Sequence, residues 1–206
     1  MHIALISVAP PYRGGISKHT SILVKNLSKT HSIDLINYSR QYPDFIFPGK
    51  SQYIDEYIED FPSERCIDSI NPLSWFKTGN ILAGRRYDLV IFRFWNPFFS
   101  PALGAIAGVI KKKSSSTKLI SLCDNILPHE KTPFSHFLIS YLFRKLHGHL
   151  VQSSQIEDRG YQVLMKTVSR HTVTGGQFAW ESQNQGHVQD IVVHAVVIEP
   201  ALMVVE

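Results

Sequence analysis

The chain has 206 residues, of which 44% are hydrophobic and 18% charged, and a formal net charge of +4. Such a composition excludes a disordered or fibrous protein and suits one ordinary domain with a real core, or one domain and a piece of another. The positive charge permits phosphate-bearing ligands, nucleic acid or an anionic membrane surface without choosing among them.

Ile3 to Lys29 (IALISVAPPYRGGISKHTSILVKNLSK) begins as a short apolar run, breaks at Pro10-Pro11, turns through Gly14-Gly15 and restarts at helical spacing. It therefore reads as strand, glycine-rich loop and helix. Glycines lack Cβ, so the backbone there can approach a ligand, and unpaired N–H groups of the helix start lie just beyond. A phosphate cradle and a plain tight turn are both consistent with so short a motif. Ile16, Leu23 and Leu27 share one helical face, leaving Lys18, Lys25 and Lys29 to water.

His31 to Tyr38 reads as a second strand, and 40 to 86 as the least regular part, broken by Pro43, Pro48, Pro62 and Pro72. Asn71-Pro72 is a cap followed by a first-turn proline and starts a short helix through Leu82. Tyr87 to Trp95 (YDLVIFRFW) is nearly continuously apolar, as a strand covered on both faces would be. Ser100-Pro101 repeats the cap-and-proline start of a helix that ends at Lys111-Lys112-Lys113, where cations complement the helix dipole.

Leu119 to Cys123 is another buried-type strand, followed by a loop from Asp124 to Pro133. Ser135 to His147 reads as a helix in which His136, Ser140, Arg144 and His147 line up against a very broad apolar face. That face is either buried on the sheet, the default, or in contact with a membrane. His149 to Ser153 gives a further strand and Gln155 to Leu164 a helix.

This alternation defines a doubly wound α/β domain with a mostly parallel sheet. Ligands collect at the C-terminal ends of such strands, here Pro10 to Gly15, Asn96, Asp124 to Glu130 and Ser153-Ser154. From about Lys166 the character changes. A Gln/Gly cluster (TGGQFAWESQNQGHVQ) precedes an apolar ending, which reads as an added strand and loop, a stub of another domain, or the product of truncation or a shifted frame, and is expected to be less ordered than 1–165.

Cys66 and Cys123 form no CxxC pair, which argues for a reducing, cytoplasmic setting and against structural zinc. His147 and His149 lack a third ligand nearby and read as structural. No signal peptide is expected. The longest continuous small-apolar run, Ala102 to Ile110, has nine residues against the roughly 20 that span a bilayer, so no transmembrane helix is expected.

The strings APPYRGGISKHT, SINPLSW at 69–75, FRFWNPFFSPALGAIA at 92–107, CDNILPHE at 123–130 and VQSS at 151–154 resemble, in order and spacing over about residues 1–165, the N-terminal half of family 4 glycosyltransferases of the GT-B fold. The resemblance implies a Rossmann-like acceptor-binding domain, one half of a two-domain retaining enzyme that uses a nucleotide-sugar as donor substrate and needs no resident cofactor. The donor-site signature, two glutamates eight positions apart after a basic pair, is not found in 166–206. By this resemblance the chain is the acceptor side of a transferase and inactive alone. Its partners are a glycan or lipid-linked acceptor, with a peripheral contact at the inner face of the cytoplasmic membrane; nucleic acid is not expected.

Glycosyl transfer puts negative charge on the departing diphosphate, so donors must face it. Gly14 and Gly15 supply backbone N–H groups and Arg13 a guanidinium. Asp124 and His129 are the candidates for orienting a proton transfer, and Asn96, Asn125, Glu130 and Ser153 for binding substrate. A capping or loop-shaping role for Asp124 and Asn125 stands beside this reading. Trp95, Phe98 and Phe99 either stack on sugars or lipid, or pack in the core. A non-catalytic binding module is the competing function. A dinucleotide enzyme fits less well, since the first loop lacks GxGxxG.

Overall fold

The computed structural model describes residues 1–43, 51–54, 61–124 and 134–151, together with the backbone of two strands at 173–180 and 191–198. Six parallel strands are β1 (His2–Ile6), β2 (Ser32–Arg40), β3 (Ser63–Asp68), β4 (Leu89–Phe94), β5 (Lys118–Cys123) and β6 (Gly148–Val151). They lie in the order β3-β2-β1-β4-β5-β6. The helices are α1 (Gly15–Leu27), α2 (Pro72–Arg85), α3 (Ser100–Lys113) and α4 (Ser135–Phe143). The fold is the expected Rossmann-like doubly wound α/β sheet, with the reversal of strand order falling between β1 and β4.

Two apolar layers cover the sheet. One face carries Ile3, Leu5, Ile33, Leu35, Ile91 and Leu122 against Val24 of α1. The other carries Ala4, Ile6, Ile36, Phe92 and Phe94 against α2, α3 and α4 through Leu82, Leu103, Ile106 and Leu142. β4 is buried along nearly its whole length because helices flank both faces, as its continuous apolar run requires.

Several local expectations are corrected. β3 lies in the segment read as irregular; it is an edge strand whose sequence SERCID keeps Glu64 and Arg65 exposed, so it has no apolar run to betray it. The buried line of α1 is Ser17, Thr20 and Val24, with Ile16, Leu23 and Leu27 half-buried at its flanks. Ser100 is the first residue of α3 and not its cap; a 3-10 turn at Pro97–Phe99, capped by Asn96, leads directly into the helix. α4 stops at Phe143, where Lys145 N–H and Leu146 N–H bond the carbonyls of Leu142 and Phe143 in a tighter turn. Asn71 is the cap the sequence predicts, accepting from Leu73 N–H at 3.0 Å.

The tail contributes β7 (Val173–Trp180) and β8 (Ile191–Ile198), an antiparallel pair with β8 running antiparallel to β6. The strand read at 149–153 is described only to Val151, and the helix read at 155–164 lies outside the described residues.

Helix α2 crosses α3 at Gly79, where an added Cβ would sit 2.8 Å from Val109 Cβ and 3.3 Å from the Ile106 carbonyl. Gly84 on the same helix meets nothing within 4 Å. Gly79→Ala is therefore expected to destabilise, an overpacking cost of about 1–3 kcal/mol exceeding the helix-propensity gain. Gly84→Ala should stabilise by about 0.5–1 kcal/mol. Urea midpoints moving in the same direction for both would contradict this packing.

Candidate functional site

The loop after β1 is built before any ligand arrives. Asn37, buried in β2, donates from its amide nitrogen to the carbonyls of Ala9 and Pro10, each at 3.1 Å, and accepts from Ala9 N–H at 3.2 Å. Residues 51–54 back the next stretch: Arg13 N–H donates to the Gln52 carbonyl at 2.8 Å and Ile54 N–H to the Pro11 carbonyl at 2.9 Å. Tyr12 and Tyr53 stack with ring centres 5.1 Å apart.

Gly14 then takes φ 126° and ψ 169°, a conformation that side chains resist, and caps α1 without a side-chain hydrogen bond. An added Cβ at either Gly14 or Gly15 meets nothing within 4 Å, so the helix start faces open space. One turn in, Ser17 Oγ is buried with no hydrogen-bond partner. Gly14→Ala should cost about 1–3 kcal/mol through backbone strain, whereas Gly15→Ala should change stability by no more than about 0.5 kcal/mol. Equal shifts in denaturant midpoint for the two variants would rule out the left-handed geometry at Gly14.

Beside this helix start lies a polar cluster centred on Arg93, which is 1% exposed. Its Nε donates to Asp124 Oδ2 at 2.7 Å while an Nη engages the other carboxylate oxygen, a two-armed ion pair joining the ends of β4 and β5. The second Nη donates to His19 Nδ1 at 2.8 Å and to Thr20 Oγ1 at 3.2 Å, both on α1. Thr20 Oγ1 also meets Ser7 Oγ, just past β1, at 2.7 Å.

A guanidinium can only donate, so Nδ1 of His19 carries no proton and the proton of the neutral ring resides on Nε2. Burial, with the Arg93 charge beside it, holds the His19 pKa below its ordinary value against the opposing pull of Asp124. The neutral form, with a single N–H donor, is the one favoured near neutral pH.

The predicted site residues divide into three groups. Gly14, Gly15 and Asp124 stand at the same C-terminal edge of the sheet, linked through His19 and Arg93, and Arg13 is exposed in the same loop. Asn96 is at that edge too, but its side chain accepts from Phe98 N–H at 2.9 Å as the cap of the 3-10 turn. Asn125, His129, Glu130 and Ser153 lie outside the described residues. Trp95, Phe98 and Phe99 form an aromatic cluster with Tyr38 and Tyr42. Phe99 is fully buried, and Trp95 Nε1 donates to Tyr42 Oη at 3.3 Å.

Sequence reasoning missed Arg93, His19, Thr20 and Asn37. A signal existed for the first: an arginine inside an otherwise apolar, doubly covered strand demands a buried anion. Asn37 carried none, since an asparagine in a strand is ordinarily a surface residue. Among the described residues no group of three His, Cys, Asp or Glu side chains could hold a metal ion. Cys123 is buried and its thiol pushed up to about 12, chiefly by burial, which leaves it unreactive at neutral pH.

No family model and no curated protein matches this chain. Among solved structures it is similar to CetZ from Methanosaeta thermophila strain DSM 6194, with a TM-score of 0.43 and 9% identity. The similarity covers 83% of this chain and 52% of that one, so the chain spans about half the length of that protein.

Proposed function

We propose that this chain is the acceptor-side half of a retaining, nucleotide-sugar-dependent glycosyltransferase of the GT-B type, serving a glycan or lipid-linked acceptor. The observation that carries the proposal is the convergence, at the β1/β4 reversal, of an open glycine helix start with His19 and the Arg93–Asp124 pair. In open α/β sheets this is where ligands bind, and a helix start with free N–H groups suits a diphosphate. Unpaired N–H groups at Gly15 and Ile16 would stabilise charge on the leaving diphosphate, with Nε2–H of His19 as a further donor nearby. The leaving phosphate itself takes the acceptor proton, which is why no side-chain nucleophile is required. Asp124, both of whose oxygens engage Arg93, anchors β4 to β5 and retains lone pairs for an acceptor hydroxyl.

A non-catalytic binding module is the second reading. It is favoured by the tail, whose β7 and β8 join the same sheet. Saturation-transfer NMR with a panel of nucleotide-sugars and glycan acceptors separates the two. Transfer to a nucleotide-sugar or acceptor that is lost in Gly15→Val supports the transferase half; a folded chain that binds none of them refutes it.

A further inference from the structure

The sheet has two edges, and only one of them is guarded against further pairing. At β3 the chain enters through exposed Pro62, Glu64 and Arg65 are exposed charges within the strand, and the register with β2 shifts twice, between Asn37 and Tyr38 and again between Tyr38 and Arg40. Proline, charge and broken register are devices that keep a sheet edge from adding a strand. The other edge is β7, and among the described residues no strand lies beyond it. Val173–Trp180 (VTGGQFAW) contains no Asp, Glu, Lys, Arg or Pro. Its residues keep unbroken register with β8, from Val173 opposite Ile198 to Trp180 opposite Ile191. In such an antiparallel ladder alternate residues direct both N–H and C=O away from the partner, so β7 offers a regular row of donors and acceptors to a further strand.

The occupant that fits this edge is a second copy of β7. Identical strands meet without repulsion where they carry no charge, and neither β7 nor β8 beside it contains an Asp, Glu, Lys or Arg, so the chain's net charge of +4 is not concentrated here. A two-fold axis normal to the sheet joins like faces of the two sheets, and it therefore passes beside a residue that stands opposite its own copy. At Gln177 such an axis sets Gly176 opposite Phe178, Gly175 opposite Ala179 and Thr174 opposite Trp180. A glycine opposite an aromatic residue is a pairing that suits a sheet. An axis at Gly176 would instead set glycine against glycine, which weakens a strand. Because β3 is guarded, pairing through β7 closes at two copies and does not grow into a fibre.

We infer that β7 pairs antiparallel with β7 of a second copy about a two-fold axis beside Gln177, making one continuous sheet through both copies. The inference does not rest on glycosyl transfer, since a binding module would dimerise by the same edge. Sedimentation velocity of the full chain should give a species of twice the chain mass that dissociates on dilution. Gln177→Lys and Gln177→Glu each set like charges against one another at the axis and should weaken self-association at least about tenfold. An equimolar mixture of the two should restore the double-mass species, because opposite charges then meet, and high salt should reduce this rescue. If either variant fails to fold, amide hydrogen exchange of the wild type decides: amides of 173–180 should gain protection as the protein concentration rises, and those of β3 should not. A wild type that stays a single chain at high micromolar concentration would overturn the inference. So would charged variants that dimerise as the wild type does, a mixture of the folded variants that stays monomeric, or protection of β7 that is independent of concentration.

Discussion

Arg93→Met is expected to destabilise the protein by about 3 kcal/mol at neutral pH, among the largest effects of any single substitution here. The thioether fills much of the same space, so the loss is not chiefly one of volume. Removal of the guanidinium leaves the Asp124 carboxylate, His19 Nδ1 and Thr20 Oγ1 without their shared donor in one stroke. Asp124 keeps some contact with water, its side chain being 17% exposed, which holds the cost toward the lower end of the range for a broken buried pair. Arg93→Met/Asp124→Leu should recover much of the loss, because apolar groups of similar size replace a buried pair at little cost. Arg93→Lys should not, as one ammonium cannot reach three acceptors on two elements. Urea titrations of wild type, the single variants Arg93→Met and Asp124→Leu, and the double variant close the cycle. A coupling below about 0.5 kcal/mol would mean that the pair is solvated and the polar cluster is not a structural unit.

The second large effect is on pH. His149 is 1% exposed on β6, with Nδ1 2.7 Å from Ser121 Oγ, no partner for Nε2, and the Phe143 ring 4.5 Å away. Burial pulls its pKa down to about 3 from the ordinary 6.5. Below pH 6.5 the unfolded chain takes up a proton that the native state refuses, so stability is full above that value and falls as the pH drops toward 3. The contribution of this one group reaches about 2 kcal/mol at pH 5. His149→Gln should flatten the profile by that amount between pH 7 and 5. His19 and His147 are depressed as well and slope in the same direction, so the test is the difference between wild type and variant. Parallel profiles would show that His149 takes up its proton in the native state as readily as in the unfolded chain.

Periodicity made much of the fold legible. β1, β4 and β5 are doubly covered and therefore continuously apolar, while α1 and α2 announce themselves by Gly14-Gly15 and by Asn71-Pro72. β3 was hidden because an edge strand is not obliged to be apolar; its charges pair instead with other elements, Arg85 donating to Glu64 at 2.8 Å and Arg40 bonding Asp68. Ser17 and Thr20 were hidden for the opposite reason. They are polar residues on the buried side of α1, and Thr20 is satisfied there by the Ile16 carbonyl of its own helix and by Ser7 and Arg93 from other elements. The same holds for the candidate site. Its glycines and Asp124 can be read from local composition, but the arginine that joins them acts across residue separations that no local pattern reports.

The amide of Asn37 on Ala9 and Pro10 also bears on how a ligand would be met. Because that side chain comes from the neighbouring strand, the loop is ordered at the moment β1 and β2 pair, and its conformational freedom is already gone when a ligand diffuses in. Association then resembles a key entering a finished lock, with little reorganisation to slow the encounter or weaken the complex. In Asn37→Ala the same loop would have to be gathered by the ligand itself, so the loss would appear as slower, weaker capture even where every contacting group is still present.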